Sequence, residues 1–128
     1  MRSATQLSVA IVPTGTANTA SVRAAFTRLG VEARMVSDPS ALAHAERVVL
    51  PGVGALGPAM DALRDRGIAS LLAERIDAGR PTLAICLGLQ LLGEGSDESP
   101  GAAALGCLPV RARKLPPEVR VPHMGWNH

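Results

Sequence analysis

Short apolar runs alternate along this chain with stretches of helical periodicity, and this alternation limits the possible folds more than any other feature. Strand-like runs occupy residues 8–12, 31–36, 47–50 and 81–85, and the third of them is followed at once by Pro51 and Gly52. Helical stretches lie between them at 20–29, 39–45, 58–66 and 68–78, and another begins at Gly88. Strand–helix–strand units form crossovers between parallel strands. The sequence therefore predicts a three-layer α/β fold, a mostly parallel sheet with helices on both faces.

The loops that follow the strands are the candidate functional segments. In an open parallel sheet, ligands bind beyond the carboxyl ends of the strands, which here means residues 13–18, 51–57 and 86–88. After Gly93 the chain becomes loop-like, and residues 108–114 are expected to form a strand outside the parallel series. We expect one domain over residues 1–128.

Composition and charge exclude several classes of protein. Hydrophobic residues make up 47% and charged residues 19%, which is typical of a globular chain. The net charge is +2 with basic and acidic residues interspersed, so we expect no nucleic-acid partner. No secretory signal or membrane-spanning run is recognisable, which predicts a cytoplasmic protein without a membrane partner. In that compartment Cys86 and Cys107 are expected to stay reduced.

The segment at residues 81–92, PTLAICLGLQLL, has the pattern of a nucleophile elbow. In such an elbow, a sharp strand-to-helix turn presents the nucleophile above the sheet. The Cys86 thiol would lie near a helix N-terminus, which favours a thiolate, and the N–H of Leu87 would point at an oxyanion. The crowded turn needs small neighbours, a need that Gly88 meets fully and Ala84 only in part. On this pattern alone, a buried core cysteine is an equal alternative.

Two further segments are informative. PGVGALG at residues 51–57 holds three glycines, so backbone N–H groups can approach a ligand. By itself it is more often a turn, and it lacks the Lys-Ser/Thr ending of a phosphate loop. Beside a cysteine elbow it is the natural second source of oxyanion donors. PHMGWN at residues 122–127 holds the only Trp, which favours a protein interface over a turn with one buried Trp.

Together these segments resemble a known family. PGVGALG at 51–57, AICLGLQLL at 84–92 and VPHMGWN at 121–127 are similar, in order and spacing, to the glutaminase subunits of imidazole glycerol phosphate synthase. Those subunits are class I glutamine amidotransferases. The resemblance implies hydrolysis of L-glutamine to glutamate, with ammonia passed to a (β/α)₈ cyclase subunit in histidine biosynthesis. It implies neither a cofactor nor a metal.

The resemblance also implies roles for individual residues. Cys86 would be the nucleophile, and Val53 and Leu87 would supply oxyanion N–H groups. The glutamine site would be lined by Gly52, Gly54 and Gln90. The cyclase subunit would contact His123, Met124 and Trp126.

The largest departure from the family pattern concerns the catalytic base. The family's His and Glu lie in a later H-P-E segment, which these 128 residues do not contain. We therefore expect an N-terminal part of the domain, without its C-terminal strands and inactive by itself. The alternative is a non-catalytic remnant that keeps the fold and the partner surface. None of the three histidines in the sequence, His44, His123 and His128, corresponds to that base.

Smaller departures lie near the expected site. Pro13 and Thr14 stand where the family usually has Asp-Tyr, Ala17 replaces a Gly of the same loop, and Ala84 replaces the Gly before the nucleophile. The last of these is expected to strain the elbow slightly.

Overall fold

A four-stranded parallel sheet organises the chain, for which the computed structural model describes residues 6–15 and 17–127. The strands are β1 (Ser8–Ile11), β2 (Glu32–Met35), β3 (Val48–Gly52) and β4 (Thr82–Cys86), in the spatial order β2-β1-β3-β4. The helices are α1 (Thr19–Arg28), α2 (Pro39–His44), α3 (Leu56–Asp65), α4 (Ile68–Asp77) and α5 (Leu87–Leu92). A separate parallel pair joins β5 (Gly95–Ser96) to β6 (Arg111–Ala112).

Helices cover both faces of the sheet, as the sequence predicted. Alternate residues of a strand point to opposite faces. Val48 and Leu50 belong to a large core cluster that is shared with α2, α3, α4 and α5. Val49, between them, belongs to a smaller cluster with Val22 and Phe26 of α1. The predicted three-layer α/β architecture is confirmed within the described residues.

Most predicted elements agree with the structure to within two residues. The helix α1 is capped by Asn18, whose Oδ1 accepts a hydrogen bond from Ser21 N at 3.3 Å. The predicted end of the third strand at Leu50 was wrong, because β3 continues to Gly52 and Pro51 pairs with Ile85. On the opposite edge of β3, the pairing with β1 ends at Val49. Pro51 has no N–H to donate, but no strand partner remains on that edge to accept a hydrogen bond.

Two other predicted boundaries need correction. α3 begins at Leu56, two residues before the predicted start at Pro58. The strand expected over residues 108–114 is reduced to Arg111–Ala112, because its partner β5 has only two residues. It does lie outside the main sheet, as expected.

A buried arginine ties the residue that precedes β4 to the rest of the molecule. Arg75 of α4 is 2% exposed. Its Nη1 donates to the carbonyl of Ala45 at 2.7 Å, and its Nη2 donates to the carbonyl of Pro81 at 2.9 Å. Because a buried guanidinium needs acceptors, these carbonyls hold α4 against the residues that precede β3 and β4. The strand that carries the cysteine is therefore anchored at its N-terminal end.

The α1 side of the sheet is incompletely covered. β4 is an edge strand of the sheet. Leu83 on β4 is 51% exposed and Leu29 after α1 is 75% exposed. Both line an apolar groove of about 400 Å³ between α1 and β4. In the part of the chain that the structure describes, no helix is long and apolar enough to cross a membrane.

Candidate active site

The backbone of Cys86 is the most unusual point in the site. It has φ 55° and ψ −119°, and among the described residues no other non-glycine residue has a positive φ. Cys86 is the last residue of β4 and the cap of α5, and its side chain is exposed. A non-glycine residue in such a conformation costs on the order of 1–3 kcal/mol. The structure therefore places Cys86 at a strained strand-to-helix turn, and the alternative of a buried core cysteine was wrong.

Close packing of α5 on β3 explains why a glycine, Gly88, stands two residues after Cys86. A Cβ atom added at Gly88 would overlap the carbonyl oxygen of Leu50. Leu87 and Leu91 on the same helix are fully buried in the large core. Any side chain at position 88 would push the helix off the strand, so the turn can form only with glycine there. The predicted need for a small residue is confirmed.

The glycine-rich loop after β3 lies beside this turn. Gly52 pairs with Cys86 across the sheet, and a Cβ atom at Gly52 would lie 3.0 Å from Leu87 Cβ. Gly54 has φ 95°, a conformation that glycine adopts readily. Val53, between these glycines, has a half-exposed side chain. The structure thus brings Gly52, Cys86 and Leu87 together at the carboxyl edge of the sheet.

The other predicted site residues fall into two groups. Gln90 is half-buried on α5, one helical turn after Cys86. His123, Met124 and Trp126 lie in an exposed segment after β6. Trp126 is 99% exposed, so it is not the buried Trp of a turn.

Neither described histidine is positioned as a base for the thiol. His44 Nδ1 lies 2.8 Å from the carbonyl oxygen of Ser40, and His123 Nε2 lies 3.1 Å from Asn127 Oδ1. His128 lies outside the described residues. Within the described chain, therefore, no histidine forms a hydrogen bond with Cys86.

The second cysteine differs chemically from the first. Both cysteines are free, and Cys107 is half-buried where Cys86 is exposed. Burial raises the pKa of the Cys107 thiol, and the negative charge of Asp77 raises it further. Because the thiolate is the reactive form, Cys107 is the weaker nucleophile near neutral pH.

The loop after β1 contains features that sequence reasoning missed. Thr14 is 1% exposed, and its Oγ1 has no hydrogen-bond partner among the described residues. The carbonyl of Pro13 accepts a hydrogen bond of 2.7 Å from Arg66 Nη1. Arg66 is 53 residues away in sequence, so no local pattern indicates this contact. Thr16 of this loop lies outside the described residues.

The residue Ala84, which was expected to strain the elbow, lies in the regular strand β4. It is paired with Leu50 and packs against the large core. The positive φ that marks backbone strain is instead at Cys86.

Comparison with solved structures supports the fold. A crystal structure titled glutamine amidotransferase matches with a TM-score of 0.68 and 24% identity, over 82% of this chain and 55% of that one. A putative peptidase E from Listeria monocytogenes matches with a TM-score of 0.64 and 14% identity, over 85% of this chain and 66% of that one. At these identities the likeness concerns the fold alone.

Comparison with curated sequences is more specific. Imidazole glycerol phosphate synthase subunit HisH of Methanothermobacter thermautotrophicus is 46% identical over 119 residues, which are 93% of this chain and 59% of the relative. The same subunit of Xanthomonas oryzae pv. oryzae is 49% identical over 121 residues, 93% of this chain and 58% of the relative. The chain thus spans somewhat over half the length of the curated relatives it matches.

A family model agrees with these relatives. The model of the CobB/CobQ-like glutamine amidotransferase domain matches residues 23–114. This range is well over half of the chain and includes β3, β4, Cys86 and α5. The chain therefore belongs to the glutamine amidotransferase family, and its curated relatives are HisH subunits.

Proposed function

We propose that this chain carries the glutamine-hydrolysing site of an imidazole glycerol phosphate synthase, with Cys86 as the nucleophile. One observation carries the proposal: the exposed Cys86 holds φ 55° and ψ −119° at the carboxyl edge of the sheet, inside a region that matches a glutamine amidotransferase domain. Strain of this kind persists where the surrounding structure enforces it, and it clusters at functional sites. Relatives named as HisH subunits support the choice of enzyme.

The reaction proceeds in two halves. The Cys86 thiolate attacks the carboxamide carbon of glutamine, and a C–S bond forms while the carbonyl oxygen becomes an oxyanion. When the intermediate collapses, the C–N bond breaks and the nitrogen leaves as ammonia after it gains a proton. Water then attacks the thioester carbon and gives up its two protons, one of which replaces the proton taken up in the first half. The C–S bond breaks, and glutamate and the thiolate are released. The proton for the leaving nitrogen must come from a group other than His44 or His123, which form hydrogen bonds elsewhere.

Backbone N–H groups would stabilise the oxyanion. Leu87 is the first residue of α5, and the first four N–H groups of a helix have no acceptor within it. Val53 follows Gly52, which pairs with Cys86, so its N–H lies in the loop next to the nucleophile. Two donors aimed at one developing charge form an oxyanion hole, and removal of one typically lowers turnover by ~10²–10³.

The same edge of the sheet would hold the substrate. Gly52 and Gly54 leave the backbone accessible beside the thiol. Gln90, one turn along α5, offers an amide that can donate to and accept from the amino-acid end of glutamine.

The exposed segment with His123, Met124 and Trp126 would contact a (β/α)₈ cyclase subunit, which receives the ammonia. Full exposure of a Trp is costly unless a partner covers it, and Trp dominates the binding energy of many interfaces. Two free cysteines, one of them exposed, suit the reducing cytoplasm.

Covalent labelling tests the assignment of the nucleophile. The chain is treated with a diazoketone analogue of glutamine, and the modified peptides are mapped by mass spectrometry. We expect modification at Cys86, protection by excess glutamine, and little modification at Cys107, whose thiol is kept protonated by its raised pKa.

Matched variants complete this experiment. Cys107→Ala should label like the unmodified chain, and Cys86→Ser should not label. Equal labelling of both cysteines, or labelling that glutamine does not protect, would overturn the assignment.

A further inference from the structure

Residues 13–15 (the β1 loop) lie at the same edge of the sheet as the proposed nucleophile. Ile11 is the last residue of β1 that pairs with β3, and its partner is Val49. Three residues further along, the two strands reach Thr14 and Gly52, and Gly52 pairs with the cysteine on its other side. The β1 loop therefore lies next to the glycine-rich loop, on the side away from the thiol.

The β1 loop receives little stabilisation from its own polar groups. Thr14 is 1% exposed, and its Oγ1 has no hydrogen-bond partner among the described residues. Gly15 has φ 78°, so the chain turns directly after the buried threonine. Since a buried hydroxyl without a partner destabilises the conformation that buries it, a contact from outside the loop must keep the loop in place.

Arg66 supplies such a contact. Its Nη1 donates to the carbonyl oxygen of Pro13 at 2.7 Å, and a hydrogen bond from a charged donor is stronger than one between neutral groups. Arg66 is the cap residue at the C-terminal end of α3, whose buried Met60 and Leu63 fix the helix in the large core. The tether thus runs from a firmly packed helix to the first residue of the β1 loop.

The same helix also borders the glycine-rich loop. α3 begins at Leu56, inside the segment 51–57, and Leu56 is 1% exposed. One packed element therefore fixes the end of the glycine-rich loop through its first residue and the β1 loop through Arg66. Because the two loops are neighbours at the edge where glutamine is proposed to bind, α3 sets their relative position.

We propose that Arg66 is a positioning residue of the glutamine site. Its guanidinium fixes the carbonyl of Pro13 and so holds the β1 loop as a wall of the pocket, across the glycine-rich loop from α5. Arg66 acts only through this loop and touches neither glutamine nor the thiol. The inference rests on the proposed function, which supplies glutamine as the molecule that the wall contacts.

This role should govern binding of the substrate and spare the covalent step. The turn that presents Cys86 is built by β4 and α5, and Gly88 packs it against the Leu50 carbonyl. None of these contacts involves Arg66, so its removal leaves the thiol where it is. A displaced wall weakens the hold on the ligand, and an effect on binding alone is separable from an effect on reaction by kinetics.

Inactivation kinetics measure the two quantities separately. The 128-residue chain and its Arg66→Ala variant are treated with the diazoketone analogue of glutamine at a series of concentrations, and modification of Cys86 is followed by mass spectrometry. The concentration dependence gives KI for reversible binding and kinact for the covalent step. We expect KI to rise about tenfold in Arg66→Ala, while kinact stays within roughly twofold of the unmodified chain.

Arg64→Ala is the matched control. Arg64 lies two residues before Arg66, is likewise exposed, and donates from Nη2 to the carbonyl oxygen of Ala103 at 3.1 Å. It has no contact with the β1 loop, so KI should stay within roughly twofold of the unmodified chain. Arg66→Lys keeps a charged donor on a long side chain, and its KI should lie between those of the unmodified chain and Arg66→Ala.

Several results would overturn the inference. They are an unchanged KI in Arg66→Ala, an equal rise in Arg64→Ala, and a fall in kinact at constant KI, which would place the effect on the nucleophile. Amide hydrogen exchange gives an independent readout: Thr14 and Gly15 should exchange faster in Arg66→Ala than in Arg64→Ala, and equal rates would mean that Arg66 does not hold the loop. Failure of the proposed function itself looks different, because the unmodified chain would then show no glutamine-protected labelling of Cys86.

Discussion

Replacement of Cys86 by glycine should stabilise the fold while it removes the nucleophile. Cys86 holds φ 55° and ψ −119°, a region in which L side chains are strained and glycine is not. Its side chain is exposed, so little packing is lost when it is deleted. Alanine at this position keeps a Cβ atom and therefore keeps the strain. The informative quantity is the difference in unfolding free energy between Cys86→Gly and Cys86→Ala.

The expected size of this difference follows from two opposing effects. Relief of the backbone strain contributes on the order of 1–3 kcal/mol. Glycine also has more freedom in the unfolded chain, which costs about 0.5–1 kcal/mol. Cys86→Gly should thus be more stable than Cys86→Ala by about 0.5–2 kcal/mol. For a domain of this size, 1 kcal/mol corresponds to a rise in Tm of roughly 3–6 °C.

Chemical denaturation and thermal melting of the two variants measure the difference. Cys107 offers the matched control, since it has no positive φ and is likewise a free cysteine. There the order should reverse, with Cys107→Gly less stable than Cys107→Ala by about 0.5–1 kcal/mol. If Cys86→Gly proves no more stable than Cys86→Ala, the backbone at this turn is not strained, and the main argument for Cys86 as a positioned nucleophile fails.

Three further predictions follow from the same region. Gly88→Ala should destabilise the fold by roughly 2–4 kcal/mol in denaturant titration, because the new methyl group overlaps the Leu50 carbonyl. The control Gly57→Ala should be neutral or slightly stabilising, because a Cβ there would meet only Ala102 Cβ at 3.9 Å. Similar losses of stability in both variants would contradict the packing argument. Thr14→Val should raise the unfolding free energy by about 1 kcal/mol, because it removes a buried hydroxyl without a partner among the described residues, and a loss of stability would reveal a partner. The 128-residue chain should release glutamate no faster than its Cys86→Ala variant, with or without the cyclase subunit. The reason is that no described histidine is placed for general acid–base catalysis, which contributes roughly 10²–10⁴ in rate. Turnover that disappears in Cys86→Ala would contradict this prediction.

Local patterns in the sequence were sufficient for most of the fold. Strand and helix periods, and the cap of α1 by Asn18, are set by residues within a few positions of each other. The alternation of strands and helices then leaves few topologies, because parallel strands require helical crossovers. The position of Cys86 at the end of a strand was predictable for the same reason. The resemblance of the chain to its family was recognisable because it rests on three short, continuous segments of the sequence.

The tertiary structure decided everything that depends on distant residues. The requirement for glycine at position 88 comes from the Leu50 carbonyl on a neighbouring strand, and β3 runs through Pro51 because its pairing with β1 has already ended there. On the A-x-C-x-G pattern alone, a buried core cysteine was an equal alternative for Cys86, and the folded chain leaves its side chain exposed. The Arg66 contact with Pro13 joins residues 53 positions apart. Periodicity records which face of an element is apolar, but it carries no information about which other element meets that face, since packing depends on shapes that come together only in the folded chain.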